Sequence, residues 1–180
     1  KENVVLTVAW CPDETRLRLK GIDTFIQAAS QVPHSQFWIV GVENKAKTIL
    51  LNSHLPSNVS IFEPVHREQL LNFYQKAKVY CQLSLREGLP NALCEAMLCG
   101  CIPVGTKRGG IPTAIGKTGF YVDYGDSQMA AKAIKKALKG SVKVGQKARQ
   151  RISENFSLDR RRSAIINIIQ TLQNRDESGH

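Results

Sequence analysis

Apolar runs of strand composition alternate with segments of helical period along nearly the whole chain, and few folds tolerate that alternation. The strand-like runs are NVVLTVAW (3–10), QFWIVGV (36–42), NVSIFEPV (58–65), VYCQLS (79–84), CIPVGT (101–106) and GFYVD (119–123). Between them, KGIDTFIQAAS (20–30) places Ile22, Phe25, Ile26 and Ala29 on one helical face, and REQLLNFYQKA (67–77) turns Leu70, Leu71 and Tyr74 inward. A short helix over 44–53 must end before Pro56, and another starts at Pro90 and runs to about Cys99. DSQMAAKAIKKALKG (126–140) is an amphipathic helix with Asp126 or Ser127 as N-cap and Gly140 as C-cap, and two further helices follow over roughly 142–154 and 158–173. CPDETRLRLKG (11–21) is read as a long loop. The strands lack polar alternation, so both their faces are expected to be buried. The expectation is a doubly wound α/β domain, a Rossmann-like parallel sheet of about six strands with helices on each side. Such sheets bind ligands beyond the carboxyl ends of their strands, near the point where strand order reverses. The loops at those ends are 9–20, 41–44, 63–67, 85–90, 106–110 and 123–126.

A chain of 180 residues can bury one sizeable core, and no linker or repeat divides it. A single domain over 1–174 is expected, with the polar end RDESGH (175–180) as a frayed tail. The apolar run VVLTVAW (4–10) is far too short to span a bilayer. The chain enters its first strand at once, without a secretory leader pattern, which points to a segment removed upstream. The five cysteines are odd in number and three fall on elements expected to be buried, as reduced thiols of a cytoplasmic protein would. Cys99 and Cys101 resemble half of a metal site, but no second Cys or His pair has the spacing to complete one. The net charge of +10 is concentrated over 126–162, where eleven Lys or Arg face three acids. No aromatic residues interleave with these cations and no nucleic-acid motif is present, so nucleic acid is not an expected partner. A solvated basic face and attraction to an anionic membrane surface both remain open. His34, His54 and His66 have no evident partner and are expected to be surface or structural residues.

The chemistry gathers in EGLPNALCEAMLCGCIPVGTKRGGIP (87–112). A helix started by Pro90 directs its free amides, from about Asn91 to Cys94, back toward the strand ends, where they form a ready anion site. Glu87 precedes that helix and Glu95 lies within it, separated by a nominal ~12 Å of helical rise. Glu87, in the loop, can fold over the helix start. Ionised carboxylates accept hydrogen bonds only, which suits vicinal sugar hydroxyls. Two such acids around a phosphate-binding helix start match the ends of a nucleotide sugar. The alternative is that both are merely acids favoured by the helix dipole.

SLREGLPNALCEAMLCGCIPVGTKRGGIP (84–112) resembles the core motif of the retaining glycosyltransferases of family 4, and KGID (20–23), VG (40–41), NVSIFEPV (58–65) and FYVDYGD (120–126) fall where that family has matching segments. The resemblance covers nearly the whole chain. It implies the C-terminal, donor-binding half of a GT-B fold, acting beside an N-terminal acceptor domain. It implies transfer of a sugar from a UDP- or GDP-sugar to an acceptor with retention of configuration, in polysaccharide or glycolipid biosynthesis at the cytoplasmic side. By the same resemblance Glu87 contacts donor-sugar hydroxyls and Lys20 the diphosphate, the two catalytic candidates. Glu95 takes the ribose, Gly88, Leu89, Pro90 and Asn91 line the sugar and phosphates, and the base lies against Val65 and His66. No metal or other cofactor is implied, because basic side chains and helix-start amides carry the leaving diphosphate's charge. Two departures stand out. Ala9-Trp10 replaces the family's Gly-Arg, leaving Arg16 or Arg18 to supply the missing cation, and Thr113 stands where a Glu often follows GGIP. A glycosidase-like nucleophile is not expected of Glu87, since only one acid lies near the sugar. Two other functions fit the same fold: a sugar-nucleotide epimerase, which the two-Glu spacing argues against, and a non-catalytic nucleotide-binding module, which the lost arginine favours.

Overall fold

The computed structural model describes residues 1–177. Its elements follow in the order β1 (Glu2–Cys11), α1 (Glu14–Lys20), α2 (Ile22–Ser30), β2 (Gln36–Val42), α3 (Asn44–Leu51), β3 (Val59–Phe62), α4 (Arg67–Lys76), β4 (Ala77–Gln82), α5 (Asn91–Leu98), β5 (Ile102–Thr106), α6 (Ile111–Ile115), β6 (Phe120–Val122), α7 (Ser127–Lys139), α8 (Val142–Asn155) and α9 (Leu158–Glu177). The strands form one sheet in the order β3-β2-β1-β4-β5-β6, and every neighbouring pair is parallel. β1 is central, with Leu6 paired to Trp38 on one side and to Tyr80 on the other. Strand order therefore reverses between β1 and β4, and the crevice of the fold opens at their carboxyl ends.

Each face of the sheet carries its own core. On one side Val5, Phe37, Ile39, Val79, Cys81 and Val104 pack against α1, α2, α3 and α7, with Leu17, Phe25, Leu50 and Ile134 as the inward anchors. Phe25 meets Phe37 edge-on with centroids 5.1 Å apart. Burying one such ring is worth ~1.5–3 kcal/mol. On the other side Leu6, Val40 and Tyr80 pack against α4, α5, α6 and α8 through Tyr74, Leu93, Met97, Ile111, Ile115 and Ile152. Apolar residues on both sides of each strand explain why the strand runs show no polar alternation.

Differences from expectation include three helical stretches. The segment read as a loop over 11–21 contains α1: the Asp13 carboxylate caps the amide of Arg16 at 2.9 Å, Leu17 is buried, and Gly21 ends the helix at φ 69°. Here a capping aspartate and a terminating glycine outweigh the polar composition. α6 was not expected at all. Its carbonyls at Thr113 and Ala114 each accept 2.7 Å hydrogen bonds from Arg151 of α8, which anchors a helix too short to stand alone. α9 continues to Glu177, into the stretch expected to be frayed, and the rest of that stretch lies outside the described residues.

Candidate functional site at the sheet's carboxyl edge

The backbone brings the end of α1 onto the loop that follows β4. The amide of Leu85 donates to the Leu19 carbonyl at 2.9 Å. A side chain at Gly21 would overlap the Leu83 carbonyl, so only glycine allows this approach. Lys20 and Glu87 meet across the junction. Lys20 Nζ lies 2.6 Å from Glu87 Oε1, with the two side chains 21% and 14% exposed. The same Oε1 accepts from Gln82 Nε2 at 2.9 Å and Ser84 Oγ at 2.8 Å. No donor among the described residues meets Oε2 of Glu87.

The double glycine of the 106–110 loop packs against the backbone that carries this carboxylate. Gly109, at φ 53°, and Gly110 pack so closely on the carbonyls of Glu87 and Gly88 that an added Cβ would overlap them. The Gly110 amide also donates to the Glu87 carbonyl at 3.1 Å. Pro90 is the N-cap of α5 rather than its first residue. The first-turn amides before Cys94 have no partner within the helix and offer an anion site, whereas the Cys94 amide, expected to be free, donates to the Pro90 carbonyl at 3.2 Å. Gly88, Leu89 and Asn91 are exposed there, while Pro90 is buried.

Glu95 stands apart from that cluster. Its Oε2 accepts from the Tyr74 hydroxyl at 3.1 Å, on a groove of about 340 Å³ between α4 and α5 that Arg67, Leu70 and Leu98 also line. No hydrogen bond joins Glu95 to the Glu87 group among the described residues. Burial, and then the charges around it, push the Tyr74 hydroxyl far above its ordinary range, so it stays a proton donor to Glu95. β3 ends at Phe62, earlier than expected, leaving Val65 half-buried and an exposed His66 as the N-cap of α4, its amide 3.3 Å from Gln69 Oε1. His34 and His54 are exposed.

The two arginines separate clearly. Arg18 pairs with Glu14 one turn away at 2.6 Å, in solvent. Arg16 lies over the Trp10 ring, 5.6 Å from its centroid, and Trp10 donates Nε1–H to Glu43 at 2.6 Å. Burial raises the Cys11 thiol to about 11, and Lys20 and Arg16 both pull it back, which places the two cations on the same end of β1. The cysteines are all free, and among the described residues no three His, Cys, Asp or Glu side chains converge as metal ligands.

Gln82 and Ser84 were missed in the sequence, and Thr106 was noted only as the start of a loop, although all are buried at this edge and Thr106 donates to the Ser84 carbonyl at 2.7 Å. A signal was present: 80, 82 and 84 are polar-tipped at alternate positions of an otherwise apolar strand.

Strand order and parallel crossovers define a Rossmann-like domain with a charged cluster at its switch point. Residues 13–157 match the model of the glycosyl transferases group 1, and the chain belongs to that family. It is 32% identical over 113 residues to the trehalose synthase of Pyrococcus horikoshii, an alignment covering 60% of this chain and 27% of that protein. Sucrose-phosphate synthase from Thermosynechococcus elongatus superposes with a TM-score of 0.76 at 22% identity, covering 98% of this chain and 46% of that one. Anabaena HepE in complex with UDP superposes with a TM-score of 0.78 at 20% identity, covering 93% and 48%. The chain thus spans about a quarter of the curated relative and under half of each structure.

Proposed function

We propose that this chain is the donor-binding domain of a glycosyltransferase that moves a hexosyl group from a UDP- or GDP-sugar with retention of configuration. The observation that carries this reading is the Glu87 carboxylate at the switch point, filled on Oε1 and open on Oε2. An open carboxylate oxygen accepts a sugar hydroxyl. Lys20 and the first-turn amides of α5 take the diphosphate and stabilise charge on the leaving group without a metal. Arg16, steadied by Trp10, supplies the second cation, and Glu95 takes the ribose with the base toward Val65 and His66. UDP in the structure of Anabaena HepE supports a nucleotide ligand for this fold.

The acceptor is assigned to a second, N-terminal domain, so this chain alone is expected to bind nucleotide sugar weakly and to transfer nothing. The site is placed on the cytoplasmic side. Peripheral contact with anionic lipid, toward polysaccharide or glycolipid acceptors, is supported by α9, which exposes Ile165, Ile168, Ile169 and Leu172 near Arg160, Arg161 and Arg162. Among the described residues no helix is long and apolar enough to cross a membrane. A thermal-shift panel of UDP, GDP and their sugars tests the reading, since ligand at 100 times its Kd adds ~2.7 kcal/mol of stability. No shift with any nucleotide, in a folded sample, would favour the non-catalytic module, which Trp10 in the place of an arginine already suggests. Transfer by this chain alone would refute the need for a separate acceptor domain.

A further inference from the structure

Gln82 is a buried amide at the carboxyl end of β4, 4% exposed, on a strand whose other inward positions are apolar or aromatic. An amide is an expensive choice there unless its hydrogen bonds are all met. Both ends of the amide have partners. Its Oε1 is 3.3 Å from the Tyr80 hydroxyl, and Tyr80 also lies 3.3 Å from the Val8 carbonyl of β1. Its Nε2 donates to Ser84 Oγ at 2.8 Å and to Glu87 Oε1 at 2.9 Å. Ser84 hands a second hydrogen bond, 2.8 Å, to the same Oε1, and its own backbone is held by Thr106. The chain of contacts runs from the central strand to one carboxylate oxygen.

Two of the three donors on that oxygen are neutral and immobile, and the third, Lys20, is a charged side chain on a flexible stem. A ligand carrying phosphate competes for Lys20. The neutral pair does not respond to that competition. We propose that Gln82 is a positioning residue for Glu87: with Ser84 it holds Oε1 while Lys20 turns to a ligand's diphosphate, leaving Oε2 as the one oxygen presented to a sugar hydroxyl. This rests on the donor-binding reading of Glu87. It predicts a division of labour in which Lys20 governs affinity for the diphosphate and Gln82 governs the added affinity for the sugar.

The test uses the whole chain. Gln82→Met keeps the volume and removes the donor, and Tyr80→Phe leaves Gln82 in place but frees its Oε1. UDP, UDP-glucose, GDP and GDP-mannose are titrated calorimetrically, and ligand-free crystal structures of the parent and Gln82→Met are compared. In Gln82→Met the nucleotide sugar is expected to lose about tenfold in affinity while the nucleoside diphosphate stays within about twofold. Tyr80→Phe gives a smaller loss in the same ratio, and the Glu87 carboxylate leaves its place in the Gln82→Met crystal. An unchanged affinity ratio in both variants, or a Glu87 carboxylate unmoved without Gln82, overturns the inference. If the parent binds none of the four ligands, the donor-binding reading falls, and the position of Glu87 in the Gln82→Met crystal alone decides the positioning role.

Discussion

Lys20, Arg16 and Arg18 lie within one short helix, yet their surroundings assign them different weights. Lys20 is mostly buried against Glu87, Arg16 is laid on Trp10, and Arg18 is spent on a solvent-exposed pair with Glu14. Lys20→Met is expected to lower nucleoside-diphosphate affinity about tenfold or more, because it removes a charge-assisted hydrogen bond. Arg18→Ala is expected to change it by no more than about twofold, since exposed pairs contribute little. Calorimetry on the two variants decides this, and equal losses would contradict the placement. For Glu95→Ala, nucleotide affinity is expected to fall about tenfold, and parent-like binding would remove Glu95 from the site. At this scale the sequence was partly legible. The carboxylates stood out because charge near a glycine-rich helix start is conspicuous, whereas Lys20 was marked only by the resemblance of KGID to a family segment. Gln82 did not, because a single amide within VYCQLS reads as noise until the strand's alternation is placed against Glu87. The choice between Arg16 and Arg18 turned on helix α1, which a stretch of polar residues concealed.

At the scale of elements, the site depends on two close backbone approaches. One sets the end of α1 on the loop after β4 through Gly21, and the other sets the loop after β5 on that same loop through Gly109 and Gly110. Gly109→Ala is expected to destabilise the fold by ~1–3 kcal/mol, because it adds strain at φ 53° and a clash with the Glu87 carbonyl. For a chain of this size each kcal/mol shifts Tm by roughly 2–4 °C. Gly88→Ala is the control, since nothing lies within 4 Å of where its Cβ would sit. Equal melting temperatures for the two variants would contradict the packing described. The strands were legible because each is built around a mainly apolar run, and β2 matches its expected limits. The double glycine was visible, but not what it supports, since its contact is 22 residues away in the chain (109 against 87).

For the whole molecule, the sheet closes two cores around buried thiols. Burial is the main cause that raises Cys11 and Cys101 from an ordinary 9.0 to about 11. A thiol whose folded pKa is raised stabilises the fold fully below about 9, and that stabilisation is lost as pH rises toward 11. Urea midpoints are therefore expected to show no loss from these thiols between pH 6 and 8 and to fall between pH 9 and 11, by on the order of 2 kcal/mol per thiol. A midpoint unchanged up to pH 11 would contradict burial of these cysteines. The doubly wound architecture was readable from the alternation of runs alone, whereas the site needed strand order, because only the reversal between β1 and β4 brings Lys20 to Glu87. The most direct test of the donor-binding role is a crystal of this chain soaked with whichever nucleotide sugar gives the largest thermal shift. The prediction is a sugar hydroxyl on Glu87 Oε2, the diphosphate on Lys20 and the amides opening α5, and the ribose at Glu95. A nucleotide sugar bound elsewhere, or bound at this edge with Glu87 untouched, would contradict it.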